Sequence, residues 1–289
     1  MPIIGALPNT ILNGQPIDAI PVMADFNWLM TQTNANAAAN GANTDITSLA
    51  SLVTVPPIVT SSSKPSFRQA LINGNFTINQ IPVSGTVTLG AGIYGHDGFK
   101  GGATGCTYTF AVSGGITTLT ITAGTLVQVA NGNFLQSSPY TLGWTGTSLG
   151  RIDLAVFGAS PQAGTAVTGV NQSCEWGVGT LSLPQYEPGT IRTAFEFRDD
   201  ELIRCRNYYR RGHLYFLTNG ATGGGFGYRS EFGNPMNSSP TIAYSNTTFL
   251  NASLITTAEV DTHGLAVTAI TTISGPTRFI TDYTASARL

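Results

Sequence analysis

The sequence predicts a mainly β protein, with helix confined to two places, and three observations carry that prediction. From about residue 67 onward, runs rich in Val, Ile, Thr and aromatic residues recur at roughly 8–12-residue spacing, separated by turns of Gly, Ser, Thr and Asn. Only the stretches 22–43 and 195–211 place apolar residues at the three- and four-residue intervals of a helix. Strand patterns follow one another without intervening helices, which points to an antiparallel sandwich, jelly-roll-like, rather than to βαβ units.

In chain order, residues 1–20 are apolar and turn-rich, with Pro2, Pro8, Gly14 and Pro16 blocking a helix. From Pro21 the pattern changes. Val22, Phe26, Leu29, Thr33, Asn36 and Asn40 alternate spacings of four and three, the seam of a coiled coil. The seam begins apolar and turns polar, which costs stability but can fix register and oligomeric state. A helix this rich in Asn and Ala is marginal alone, so the pattern predicts copies packed together, as a homotrimer. A low-complexity leader without fixed structure is the competing reading. Residues 1–60 form this leader, and TSSSKP at 60–65 reads as a linker.

Residues 66–195 carry the strand patterns of the expected sandwich, among them CTYTFAV (106–112), ITTLTITA (116–123), RIDLAVF (151–157) and EWGVGTLSL (175–183). The stretch 195–211, FEFRDDELIRCRNYYRR, is the densest in charge. Asp199 or Asp200 can cap a helix there, acids precede arginines as the helix dipole prefers, and Leu202, Cys205, Tyr208 and Tyr209 form one apolar stripe. Residues 196–289 are therefore expected to hold one amphipathic helix and a smaller β region.

Composition narrows the function classes. Charged residues make up only 10% of the 289, and the net charge is −2, which leaves no basic footprint for nucleic acid. No run of about 18 apolar residues is present to span a membrane, and Met1–Leu12 lacks the charged start and apolar core of a signal peptide. Cys106, Cys174 and Cys205 are odd in number and scattered, as buried free thiols are.

Several islands resemble one family. LPNTILNGQPIDAIPVMADFNWLMTQTNANAA (7–38) is similar to the leader of many bacteriophage tail-fibre and baseplate-associated proteins. ALINGNFTINQ (70–80) resembles the N-G-N-F-x-x-W-Q opening of their lectin-like β-sandwich, with Asn79 where Trp is usual. FEFRDDELIRCRNYYRR resembles the F-E-x-R-x-x-x-E-L-x-x-C-x-R-Y-Y segment that follows that sandwich, and PMNSSPTIAY (235–244) is a weaker match. The resemblance implies a homotrimeric structural virion protein, a receptor-binding fibre. Its residues 1–60 would dock to other tail, baseplate or capsid proteins, and its sandwich would project toward the host surface. GHDGFK at 95–100 replaces the A-D-R-W strand that often follows in that family.

Attachment to a surface polysaccharide needs exposed aromatics for sugar faces and planar polar groups for hydroxyls. Tyr140 and Trp144 in SSPYTLGWTGTS, and Tyr94, His96 and Asp97 in GIYGHDG, are the candidates, whereas Trp176 in a strand pattern is assigned to the core. Asp199, Asp200 and Glu201 could suggest the carboxylate pair of a polysaccharide depolymerase, but capping accounts for them and no β-helix repeat is present. His96, His213 and His263 lack metal-ligand spacing, so neither metal nor cofactor is expected. An architectural connector without receptor binding is the remaining alternative.

Overall fold

The computed structural model describes residues 23–28 and 68–289. The chain divides into two compact units, Met1–Lys64 and Pro65–Leu289. In the first, residues 23–28 are helical, and Phe26 is 65% exposed. The other proposed seam residues, Val22, Leu29, Thr33, Asn36 and Asn40, lie outside the described residues, as does the 61–65 linker.

The second unit is mainly β, and every pair of strands in its sheets is antiparallel. Its larger sheet has eight strands: β1 (Val87–Leu89), β2 (Phe99–Ser113), β3 (Ile116–Ala130), β4 (Ser138–Thr145), β5 (Gly150–Ile152), β6 (Gln162–Ala166), β7 (Gln172–Trp176) and β8 (Gly179–Pro188). The long β2–β3 hairpin closes at Gly114-Gly115, where both residues have positive φ (58° and 78°), as a two-residue hairpin turn requires. Strand β3 then branches the sheet: residues Leu119–Ile121 pair with β8, and Leu126–Ala130 pair with β7. Strand β8 joins the two parts of this sheet, pairing with β3 through Gly179–Leu181 and with β4 through Ser182–Pro188. Period-2 alternation sends Tyr108, Leu119, Ile121, Leu142, Trp144, Trp176 and Tyr186 into one core.

Two sequence patterns are cut shorter than expected. RIDLAVF is strand only through Ile152; Asp153 turns the chain at φ 51°, leaving Leu154 and Val156 93% and 87% exposed. EWGVGTLSL is divided between β7 and β8.

The remaining strands form two three-stranded sheets. One is ordered β10 (Gly225–Glu231), β13 (Gly264–Thr271), β12 (Ala252–Val260); the other is β11 (Thr241–Leu250), β14 (Gly275–Ser286), β9 (Tyr209–Gly220). They share a second core, where Leu214, Phe279 and Tyr283 meet Leu265 and Val267, and Phe216, Phe226 and Phe279 stack at 5.4–5.9 Å.

The expected helix is present from Glu201 but ends earlier than its apolar spacing predicts. Only Glu201–Arg206 is helical, six residues, and Tyr209 already opens β9 opposite Ser286 of β14. Sheet pairing over twelve residues outweighs the helical propensity of the arginine-rich tail. Of the expected stripe Cys205 is fully buried, Tyr208 and Tyr209 are half-buried, and Leu202 is 37% exposed. Asp200 occupies the cap position, its carbonyl accepting from the Arg204 N–H at 3.1 Å while its side chain makes no cap bond. Its carboxylate instead accepts from Nε and Nη2 of Arg198 at 2.9 and 2.7 Å, which holds it below the usual carboxylate range.

Candidate functional site

The aromatic residues proposed for sugar contact are not surface platforms in this chain. Tyr140 and Trp144 lie on β4 with their side chains in the core, 3% and 1% exposed. Trp144 donates from Nε1 to the Ser148 carbonyl at 2.8 Å and meets Trp176 edge to face at 6.5 Å. The Gly-rich surroundings of Tyr140 and Trp144 form a strand in which Gly143 lets the Arg192 side chain approach. Trp176 is fully buried, in the core position assigned to it.

The second group is also turned inward. His96 and Asp97 are 2% and 1% exposed. The His96 ring nitrogen Nδ1 meets the Tyr108 hydroxyl at 2.9 Å between the rings of Phe76 and Phe110. Asp97 accepts from the Gln80 backbone at 2.7 Å and from its side-chain amide at 2.6 Å. Tyr94 donates to the Leu289 carbonyl, which also takes Lys100 Nζ at 2.7 Å. The Arg288 guanidinium lies over the rings of Tyr94 and Tyr209, at 4.4 and 3.7 Å. Tyr94 and Arg288, with Gln128, Asn131 and Tyr208, line a pocket of about 30 Å³. That volume admits a water or two and is far below the several hundred Å³ typical of ligand pockets.

What the motif residues build is a clasp between the two β regions. Glu196 accepts from the backbone N–H groups of Arg68 and Gln69 at 2.8 and 3.2 Å. Arg204 donates through Nη2 to the carbonyls of Gln69 and Leu71, both at 2.9 Å, and pairs with Glu201 at 3.1 Å. Glu201 in turn accepts from the Asn73 backbone at 2.8 Å. Asn73, fully buried with φ 54°, donates to the Ile78 and Asp97 carbonyls and accepts from the Ile78 N–H. Gly74 follows because a Cβ there would sit 2.6 Å from the Pro184 carbonyl oxygen. Gln80 completes the link by donating to the Tyr209 carbonyl at 2.8 Å. Residues 70–80 and 195–211, two of the islands of the resemblance, are thus one hydrogen-bonded unit.

Electrostatics fit a buried joint. Burial pushes the carboxyls of Asp97 and Glu201 up, against the opposing pull of Gln80 on the first and Arg204 on the second. It also lowers His96 to about 4. A base whose folded pKa is depressed below its unfolded value, about 6.5, binds its proton more readily in the unfolded chain. Its contribution to stability is present above that value and is lost as pH falls toward 4. We expect the melting temperature to drop between pH 6.5 and 4.5, with His96 alone contributing at most about 3 kcal/mol. Proton uptake by Asp97 and Glu201 offsets part of that loss. A His96→Gln variant should show a flatter pH profile over the same interval; an unchanged slope would contradict the assignment.

The other candidate groups are placed apart from one another. Asp199, Asp200 and Glu201 do not converge, Asp200 being held by Arg198 and Glu201 by Arg204. His213 bonds Asp282 at 2.8 Å on an exposed strand face, and His263 contacts Thr262. Among the described residues no three His, Cys, Asp or Glu side chains are grouped as metal ligands. Cys106, Cys174 and Cys205 are buried free thiols. Sequence reading missed the clasp because Gln69, Asn73, Gln80 and Asp97 carry no periodic signal. The N-G-N-F island was the available pointer. Comparison with known protein families, curated proteins and solved structures finds no match for this chain.

Proposed function

We propose that this protein is a structural component of a bacteriophage virion, the head of a homotrimeric tail fibre or baseplate-attached fibre carried on an N-terminal leader, without enzymatic activity. The observation that carries the reading is the clasp: two of the stretches through which the chain resembles fibre proteins, 70–80 and 195–211, are those that lock two β regions together. A rigid head suits a component that transmits load and presents several identical surfaces at once, where multivalency makes weak single contacts sufficient. Low charge and a Thr-, Ser- and Asn-rich surface are consistent with exposure on a particle rather than with binding to nucleic acid.

Burial of Tyr140, Trp144, His96 and Asp97 favours the second reading, an architectural connector, over glycan attachment through those residues. Negative-stain electron microscopy of the full chain tests the proposal. Trimeric particles with heads clustered at one end of a stalk, formed from three chains of 30.2 kDa, are expected; separate single heads would overturn it.

A further inference from the structure

The smaller sandwich has two outer faces, and they differ in kind. On the β10–β13–β12 sheet the outward positions are Gly227, Arg229 and Glu231, then Thr268, with Thr256 and Glu259, and Ile270 is the one large apolar side chain among those described there. Arg229 is ringed by Glu231, Glu259 and Asp261 at 2.6–3.2 Å. That is an ordinary solvated face. The β11–β14–β9 sheet turns outward Arg211, His213, Arg278 and Asp282 but also Tyr215 and Leu217, 52% and 56% exposed, the half-buried Ile280, Leu250 at 43%, and Pro276.

The run Leu214–Leu217 is apolar at every position: Leu214 and Phe216 fill the core while Tyr215 and Leu217 face out. Continuous apolar strands are the pattern of a sheet covered on both faces. Strand β9 is also an edge strand, twelve residues long, which adds unpaired backbone groups beside the apolar face.

Charge placement identifies the cover. Ile280 sits on β14 midway between Arg278 and Asp282, all on this outer face. The Arg278 side chain is half-buried beside Leu217 and Leu250, its strand neighbours. Asp282 accepts from His213 and Asn246, and a carboxylate has capacity for more. If a second copy lies face to face with its β14 antiparallel, Ile280 meets Ile280, and Arg278 of each copy meets Asp282 of the other. Apposition about a threefold axis along the strands would instead gather like charges at one level. A face three strands wide and twelve residues long measures roughly 600 Å² per copy, the lower end for a specific pair.

We propose that this outer face, centred on Ile280, is a twofold self-association surface that pairs heads of two copies. The pairing is independent of the leader-driven trimer. It is measured by sedimentation velocity on the full chain over roughly 1–100 µM, the range suited to a small interface. An even number of copies, two if heads pair alone or six if trimers pair, supports the proposal. A single copy or three copies overturns it, and three would leave the trimer reading intact, whereas two would sink the trimer and keep the pairing. In an even-numbered wild type, Arg278→Glu and Asp282→Arg should each weaken association by about tenfold or more. The double charge exchange should restore it to within about threefold. Circular dichroism checks that each variant is folded. Tyr215→Thr with Leu217→Thr, which keeps strand propensity, provides a second route should a charge variant unfold. Even-numbered assembly that ignores all of these substitutions would overturn the proposal.

Discussion

Arg204→Met is expected to lower the stability of the head by about 3–5 kcal/mol, the range for removing one member of a buried charge pair. The guanidinium serves three acceptors at once: the carbonyls of Gln69 and Leu71 and the Glu201 carboxylate. Methionine can fill the space but leaves two carbonyls without this donor and a largely buried carboxylate with only the Asn73 N–H. Burial already holds the Glu201 carboxyl above its usual range, and loss of Arg204 should raise it further. For a head of this size the melting temperature should fall by about 6–15 °C. Adding Glu201→Gln should recover part of the loss, because the two side chains are coupled. A change within about 0.5 kcal/mol, the usual range for surface substitutions, would show that the clasp is decoration.

Trp144→Ala is expected to cost about 3–5 kcal/mol through the cavity left in the core, together with the lost edge-to-face contact with Trp176. Urea midpoints of wild type and variant measure it. A sugar-stacking surface tryptophan would behave oppositely: stability would stay within about 0.5 kcal/mol while surface binding disappeared. Tyr140→Phe is a milder companion, since its hydroxyl takes only a 3.3 Å bond from the Gln136 backbone.

The β class of this chain was legible because period-2 alternation and turn residues are local signals, and both survive in β2, β3 and β14. The helix over 195–211 was over-read for the same reason: Leu202, Cys205 and the two tyrosines fit a local period, but the partner strand β14 lies some seventy residues later, at Gly275–Ser286. Long-range pairing leaves no mark on nearby sequence. The burial of Trp144 and Tyr140 leaves little mark in the sequence, because glycines beside them, such as Gly143, suit both turns and closely packed strands. The apolar outer face was legible in principle: Leu214–Leu217 breaks the alternation that a one-sided strand would show. The clasp was legible only as a likeness of islands, since hydrogen bonds between residues 68–80 and 195–211 follow no spacing rule.

If this clasp makes the two β regions one folding unit, native-state amide hydrogen exchange as a function of denaturant will show them opening together. The most protected amides of β3, in the first core, and of β14, in the second, should open with the same free energy and the same denaturant dependence. If β14 opens at a lower free energy while β3 stays closed, the two regions fold independently and the clasp does not couple them.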